Sequence, residues 1–242
     1  MKISVAQTRP VKGDITHNLD THYRLIELGL AQDVDVIIFP ELSVTGYEPE
    51  LAASLAAHEN DDMFDHLQDL SDKFGITIGV GMPKKLTEGI SIGTVVIQPQ
   101  QVRHIYCKKY LHDSEMPSFT SSENFTGLIG PQKDIALGIC YEMSVDEHFN
   151  KISASGATYY MNSSVKDHES LGRTYKRLSE VSKHHGIITM VSNCVGMTGD
   201  YDCLGGSAIW DTEGNLLNKL NETHEGILIY DTASGQTEEK YL

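Results

Sequence analysis

The sequence predicts a layered α/β domain. Short, apolar, β-branched runs alternate with amphipathic helical patterns, turns rich in Gly and Pro place several strands side by side, and no linker or charge block divides the 242 residues. A chain of that length is expected to form a single domain, residues 1–242, with a large core.

Each element follows from its local pattern. Met1 to Gln7, with Ile3 and Val5 alternating, reads as a first strand. Leu19, Tyr23, Ile26 and Leu30 recur at helical spacing and make one apolar face. Val34 to Phe39 is a β-branched strand that Pro40 stops, so Glu41 falls just past its end. Residues 41–47 read as a loop, followed by a weakly patterned helix through Leu51 and Leu55. Phe64, Leu67, Leu70 and Phe74 mark another helix, closed by Gly75. Three strands follow, Ile76 to Gly81, Gly93 to Gln98 and Val102 to Lys108, joined by turns at Thr87-Glu88-Gly89 and Pro99-Gln100. His112 to Gly130 is polar, and a long irregular stretch of this kind inside a compact domain points to function or disorder.

Asp134 to Ile139 is a short apolar strand ending on Cys140. A helix from Val145 to Ser155 precedes a strand from Ala157 to Met161, which runs into Asn162-Ser163-Ser164. Leu171, Tyr175, Leu178 and Val181 give a helix ending at Gly186, and Ile187 to Cys194 a strand. Gly196 opens what reads as a glycine-rich loop. The last strands lie at residues 207–210, 216–217 and 227–230, with Glu213-Gly214-Asn215 as a hairpin turn.

Composition narrows the function. Nineteen basic against thirty-four acidic residues leave a formal charge of −15, which repels a phosphate backbone or an anionic bilayer. No apolar run reaches the roughly 20 residues needed to span a membrane, and the first residues lack a signal peptide's apolar segment. The four cysteines form no CxxC pair, which fits reduced thiols in the cytoplasm. The eleven histidines show no HExxH. His184 and His185 diverge, and His17 and His22 sit on a surface helix, so no metal site is expected.

Glu41, Lys108 and Cys140 each fall at or just after a strand end, where an α/β sheet binds ligands. A thiol needs a base, which a carboxylate such as Glu41 can supply, and an ammonium such as Lys108 both favours the thiolate and stabilises an oxyanion. The Tyr141 N–H is a second candidate oxyanion donor. Singly, each has a plainer reading: a small buried hydrophobe for Cys140, a solvated loop residue for Glu41 and an exposed strand end for Lys108.

Three blocks taken in order are more specific. Phe39-Pro40-Glu41-Leu42, Tyr106-Cys107-Lys108-Lys109-Tyr110-Leu111 and Gly138-Ile139-Cys140-Tyr141-Glu142 resemble the signature blocks of the nitrilase superfamily of carbon–nitrogen hydrolases, with candidate residues 67 and 32 positions apart. The resemblance runs through nearly the whole chain, including residues 3–7, 191–196 and 205–210. It implies an α-β-β-α sandwich that pairs into a homodimer or higher homo-oligomer. It also implies a Glu-Lys-Cys triad at Glu41, Lys108 and Cys140, a small amide substrate and no cofactor. Lys108, not Lys109, stands in the family register. A second glutamate in many members is matched by Glu115, with Glu123 as the alternative. Tyr47, Glu142 and Asn162 are possible pocket residues, with a structural role open for Glu142. Two departures stand out: Cys107 within the lysine block, and a short polar tail after Asp231 that puts the tail's usual part in the dimer in doubt.

The expected activity is cleavage of a small amide through a Cys140 thioester. A nitrilase or an N-carbamoyl-amide hydrolase would use the same triad. A non-catalytic ligand-binding member would have lost a triad residue, and all three are present. A redox-sensing thiol would need a resolving cysteine, but Cys107 should face away from Lys108 on its strand.

Overall fold

The computed structural model describes residues 1–122 and 127–242. Two β-sheets pack face to face between helical layers, the four-layer α-β-β-α arrangement expected above. The seven-stranded sheet is built from β1 (Lys2–Gln7), β2 (Val36–Ile38), β3 (Thr77–Lys85), β4 (Ile90–Ile97) and β5 (His104–Cys107), joined by the last two strands of the chain, β13 (Gly226–Asp231) and β14 (Thr237–Tyr241). Its order is β14-β13-β1-β2-β3-β4-β5. The five-stranded sheet comprises β6 (Ile135–Ile139), β7 (Tyr159–Ser163), β8 (Ile188–Ser192), β11 (Ala208–Trp210) and β12 (Leu216–Lys219), in the order β12-β11-β8-β7-β6. A separate hairpin pairs β9 (Val195–Thr198) with β10 (Tyr201–Leu204).

Alternation along the strands explains the layers. Ile3 and Val5 of β1 and Val36 and Ile38 of β2 point into the core between the sheets, where they meet Leu137, Ile139, Met161 and Met190. Ala6 and Ile37 point the other way, onto α1 (Ile15–Leu30) and α3 (Asp65–Phe74). The five-stranded sheet is covered by α4 (Asp146–Ala154) and α5 (His168–His185), with Phe149, Leu178 and Val181 against Tyr160 and Trp210. Between α1 and α3 lies the short α2 (Ala52–Leu55), where the pattern predicts only a weak helix.

Three local readings change. The segment opening at Gly196 is not a loop: Tyr201 to Leu204 pairs in register with Val195 to Thr198. The polar tail is an edge strand, since a strand with one solvated face needs few apolar residues. His22 is fully buried on α1, stacked 4.1 Å from Phe39 and bonded to the Asn18 carbonyl and the Ser43 hydroxyl, while His17 is exposed. Burial lowers the His22 pKa to about 4, so it packs as a neutral ring. Among the described residues, no group of three His, Cys, Asp or Glu is placed to hold a metal, and no helix is long and apolar enough to cross a membrane.

The sheets are tied where their parallel strands end. The Ser163 hydroxyl donates to the Phe39 carbonyl at 2.8 Å, and the Val195 N–H to the Thr8 carbonyl at 2.9 Å. Both joints lie at carboxyl ends of strands, where the candidate residues Glu41, Lys108 and Cys140 also fall.

Candidate active site

Strand ends deliver the reactive groups. Glu41 follows β2, in a turn where Leu42 takes φ +52°, and Lys108 follows β5, its N–H donating to the Ile92 carbonyl at 2.8 Å. Cys140 follows β6 at the first residue of a 3-10 turn (Cys140–Ser144), with φ +45°. A non-glycine residue in the left-handed region costs about 1 kcal/mol or more, and such strain clusters where a side chain must be presented in one direction. The turn aims Cys140 into a cavity of about 350 Å³ that Glu41, Glu115 and Tyr47 also line.

The Lys108 ammonium lies between two carboxylates, donating to Glu41 Oε1 at 2.8 Å and Glu115 Oε1 at 2.6 Å. All three side chains are buried. Glu115 is held further by the His112 N–H at 2.8 Å and the Tyr47 hydroxyl at 3.3 Å. Glu41 is held by Lys108 at one oxygen only: its Oε2 is buried and has no hydrogen-bond partner among the described residues. A buried carboxylate oxygen without a donor is costly, and it is free to accept a proton.

Charge and burial set the protonation states. Burial raises the Glu41 pKa, and the charge of Glu115 adds to that against the opposing pull of Lys108. For Lys108 burial alone would lower the pKa, but Glu41, the Cys140 sulfur and Glu115 together outweigh it and hold the ammonium above its usual value. Burial and Glu41 also push the Cys140 thiol up, while Lys166 and Lys108 pull against them. The group is therefore a protonated thiol at neutral pH beside a carboxylate of enhanced basicity.

Not every candidate from the sequence lines the cavity. Tyr47, Glu115 and Tyr141 do, with the Tyr141 ring 5.4 Å from His112. Glu142 does not. It accepts from the Tyr106 hydroxyl at 2.6 Å, the Lys109 N–H at 2.8 Å and the Ile139 N–H at 2.9 Å, binding the lysine segment to the cysteine strand. Asn162 also lies away from the cavity, buried and bonded to Tyr160 and Ser164, because its place on β7 turns it into the sheet–helix layer. Glu123 falls outside the described residues.

The sequence reading missed Tyr201 and the face of α5. Tyr201 lines the cavity from β10 and packs edge-on against Tyr47 at 5.4 Å. The alternation of Tyr201 and Cys203 was the available signal, obscured by neighbouring glycines. From α5 come Ser170, Arg173, Thr174 and Arg177, where the helical stripe revealed only the adjacent, core-facing side.

Two sheets between helical layers make a nitrilase-type fold, and its candidate site is a cavity at the strand ends lined by a thiol and two carboxylates, with a buried lysine bonded to both carboxylates. The chain belongs to the carbon–nitrogen hydrolase family, which it matches over residues 2–240. It is 22% identical to a Staphylococcus aureus protein described as "Hydrolase in agr operon", over 99% of this chain and 94% of that one. It is 23% identical to an (R)-stereoselective amidase of Pseudomonas sp, covering 90% and 80% of the two chains. Among solved structures, a cysteine-to-alanine mutant of an amidase of the nitrilase superfamily from Nesterenkonia AN1 superposes with a TM-score of 0.86 at 22% identity, over 97% of this chain and 91% of that one. Another structure of that amidase carries the acetamide moiety of fluoroacetamide added covalently at its active-site cysteine.

Proposed function

We propose that this protein hydrolyses the C–N bond of a small non-peptide amide through a thioester on Cys140, with residues 1–242 acting as one catalytic domain. The observation that carries this reading is the Lys108 ammonium clamped between Glu41 and Glu115 beside Cys140, with the second Glu41 oxygen unpartnered among the described residues. Glu41 takes the thiol proton as the sulfur bonds to the carbonyl carbon, and Lys108 with the Tyr141 N–H receives the oxyanion. Collapse breaks the C–N bond, and the proton on Glu41 passes to the departing ammonia or amine. Water then attacks the thioester, giving its proton to Glu41, and collapse of the second oxyanion releases the acid and restores the thiol. Glu115 holds Lys108 in place, and Tyr47 holds Glu115.

The setting belongs to the same proposal. The enzyme works in the cytoplasm with its thiols reduced, without a metal or organic cofactor, and as a homodimer or larger homo-oligomer, which sedimentation would read as a multiple of the chain mass.

The test is ammonia release from small amides, ureido acids and nitriles, with Cys140→Ala beside the wild type. Release from amides that disappears in the variant supports the proposal. A preference for nitriles or ureido acids moves it within the family, and full activity in Cys140→Ala overturns the mechanism.

A further inference from the structure

One side of the cavity carries charge that the steps above leave unused. It is built by Val165 and Lys166, which follow β7, and by the first turns of α5. Of its three cations, Arg177 is occupied, donating to the Met143 carbonyl at 2.8 Å and to Asp146 at 2.6 Å. Lys166 and Arg173 make no side-chain hydrogen bond or ion pair among the described residues. The nearest acid in sequence, Asp167, is spent on capping α5, accepting from the Ser170 N–H at 2.9 Å. Glu169, in the first turn of the helix, is exposed and lies on the rim.

Lys166 is the cation closest in the chain to the nucleophile's contacts. The carbonyl of its neighbour Val165 lies 4.0 Å from Cys140 Sγ, and the Lys166 charge is felt at both Cys140 and Glu41. A half-buried ammonium that makes no ion pair among the described residues, in a cavity where Glu41 and Glu115 already share Lys108 and Asp167 caps α5, is a site for an anion. The overall charge of −15 works against any negatively charged substrate, so a local cation is what would admit one.

We infer that Lys166 determines specificity by binding a carboxylate carried on the acyl part of the amide substrate. This rests on the amide-hydrolase reading. The acyl carbon becomes bonded to Sγ, which brings the rest of the acyl chain past Val165 and Lys166. The leaving amine instead takes its proton from Glu41. The substrate class is therefore the monoamide of a short dicarboxylic acid, with the scissile amide at one end and the carboxylate at the other.

The experiment compares kcat/KM for the monoamide of a four- or five-carbon dicarboxylic acid with that for the unsubstituted straight-chain amide of equal length. The wild type should favour the acid amide. Lys166→Met should cut the ratio of the two values about tenfold or more, through KM for the acid amide, and Lys166→Arg should restore most of it. Raising ionic strength with the wild type alone should raise KM for the acid amide and not for the neutral one, a readout independent of how the variants fold. A wild type that prefers the neutral amide, or a Lys166→Met variant with an unchanged ratio, overturns the assignment while leaving the amidase reading intact. Silence with both substrates, together with silence across the broader amide panel, overturns the amidase reading itself.

Discussion

On the proposed mechanism the chemistry turns on Glu41, because one of its oxygens is committed to Lys108 and the other has no partner among the described residues. A base works only when deprotonated, so activity should fall as pH drops through its pKa. Burial lifts that pKa, so the acid limb of kcat/KM should lie above the usual carboxylate range of about 4.3. The limb should vanish in the residual activity of Glu41→Gln, and a limb that survives this change would assign it elsewhere. On the alkaline side, the raised pKa of Lys108 keeps the ammonium charged past the point where an ordinary lysine titrates. Lys108→Met should lower kcat by about 100-fold or more, since it removes an oxyanion partner and leaves two buried carboxylates together. Lys109→Met should be much milder, and steady-state kinetics on the two variants would separate them. All three reactive groups were legible as residues because each stands in a short block with its own spacing. The free Glu41 oxygen and the Lys108–Glu115 bond were not, since both depend on how distant segments meet.

At the scale of elements, Glu142 is the joint. It fastens the end of β5 to the end of β6, accepting from a hydroxyl and from backbone N–H groups on both sides. Glu142→Ala would leave the buried Tyr106 hydroxyl and the Ile139 N–H without their acceptor, at a cost of about 1–3 kcal/mol for each group. A fall in the urea midpoint, with kcat lowered through misplacement of Lys108 and Cys140, is the expected result; unchanged stability would mean that other acceptors take over. Gly138→Ala tests the neighbouring layer. A methyl group there would overlap the Tyr160 hydroxyl that Asn162 bonds, so thermal unfolding should begin at a lower temperature. Strand and helix positions were readable from periodicity wherever an apolar face met a core, as in α1, α5, β2 and β6. Tyr201 and Thr237 to Tyr241 lay outside any such pattern, because a short hairpin strand and an edge strand with polar or glycine-rich sequences owe their form to a partner strand.

At the scale of the whole molecule, one sheet joins strands far apart in the sequence. β13 inserts between β14 and β1, so the seven-stranded sheet draws on residues 2–7 as well as 226–241. Deleting Thr237–Leu242 would expose β13 as an edge and strip one ladder of backbone bonds. The melting temperature should drop and aggregation rise on heating, while turnover at low temperature persists. Calorimetry beside an activity assay would read both, and an unchanged melting temperature would show that the strand contributes nothing to the sheet. Local pattern predicted the layers but not this pairing, because no residue in β13 reveals which strand it will join.

Two sheets share the labour of the cavity: Glu41 and Lys108 hang from one, Cys140 from the other. During synthesis, Cys140 leaves the ribosome long before Gly226–Asp231 can complete the first sheet beside β1. Until then that sheet has an open edge at β1, although the strands that carry Glu41 and Lys108 have already been made. On the proposed chemistry the sulfur meets its base and cation only where the two sheets pack together, so its reactivity would be a product of folding and not of the cysteine alone.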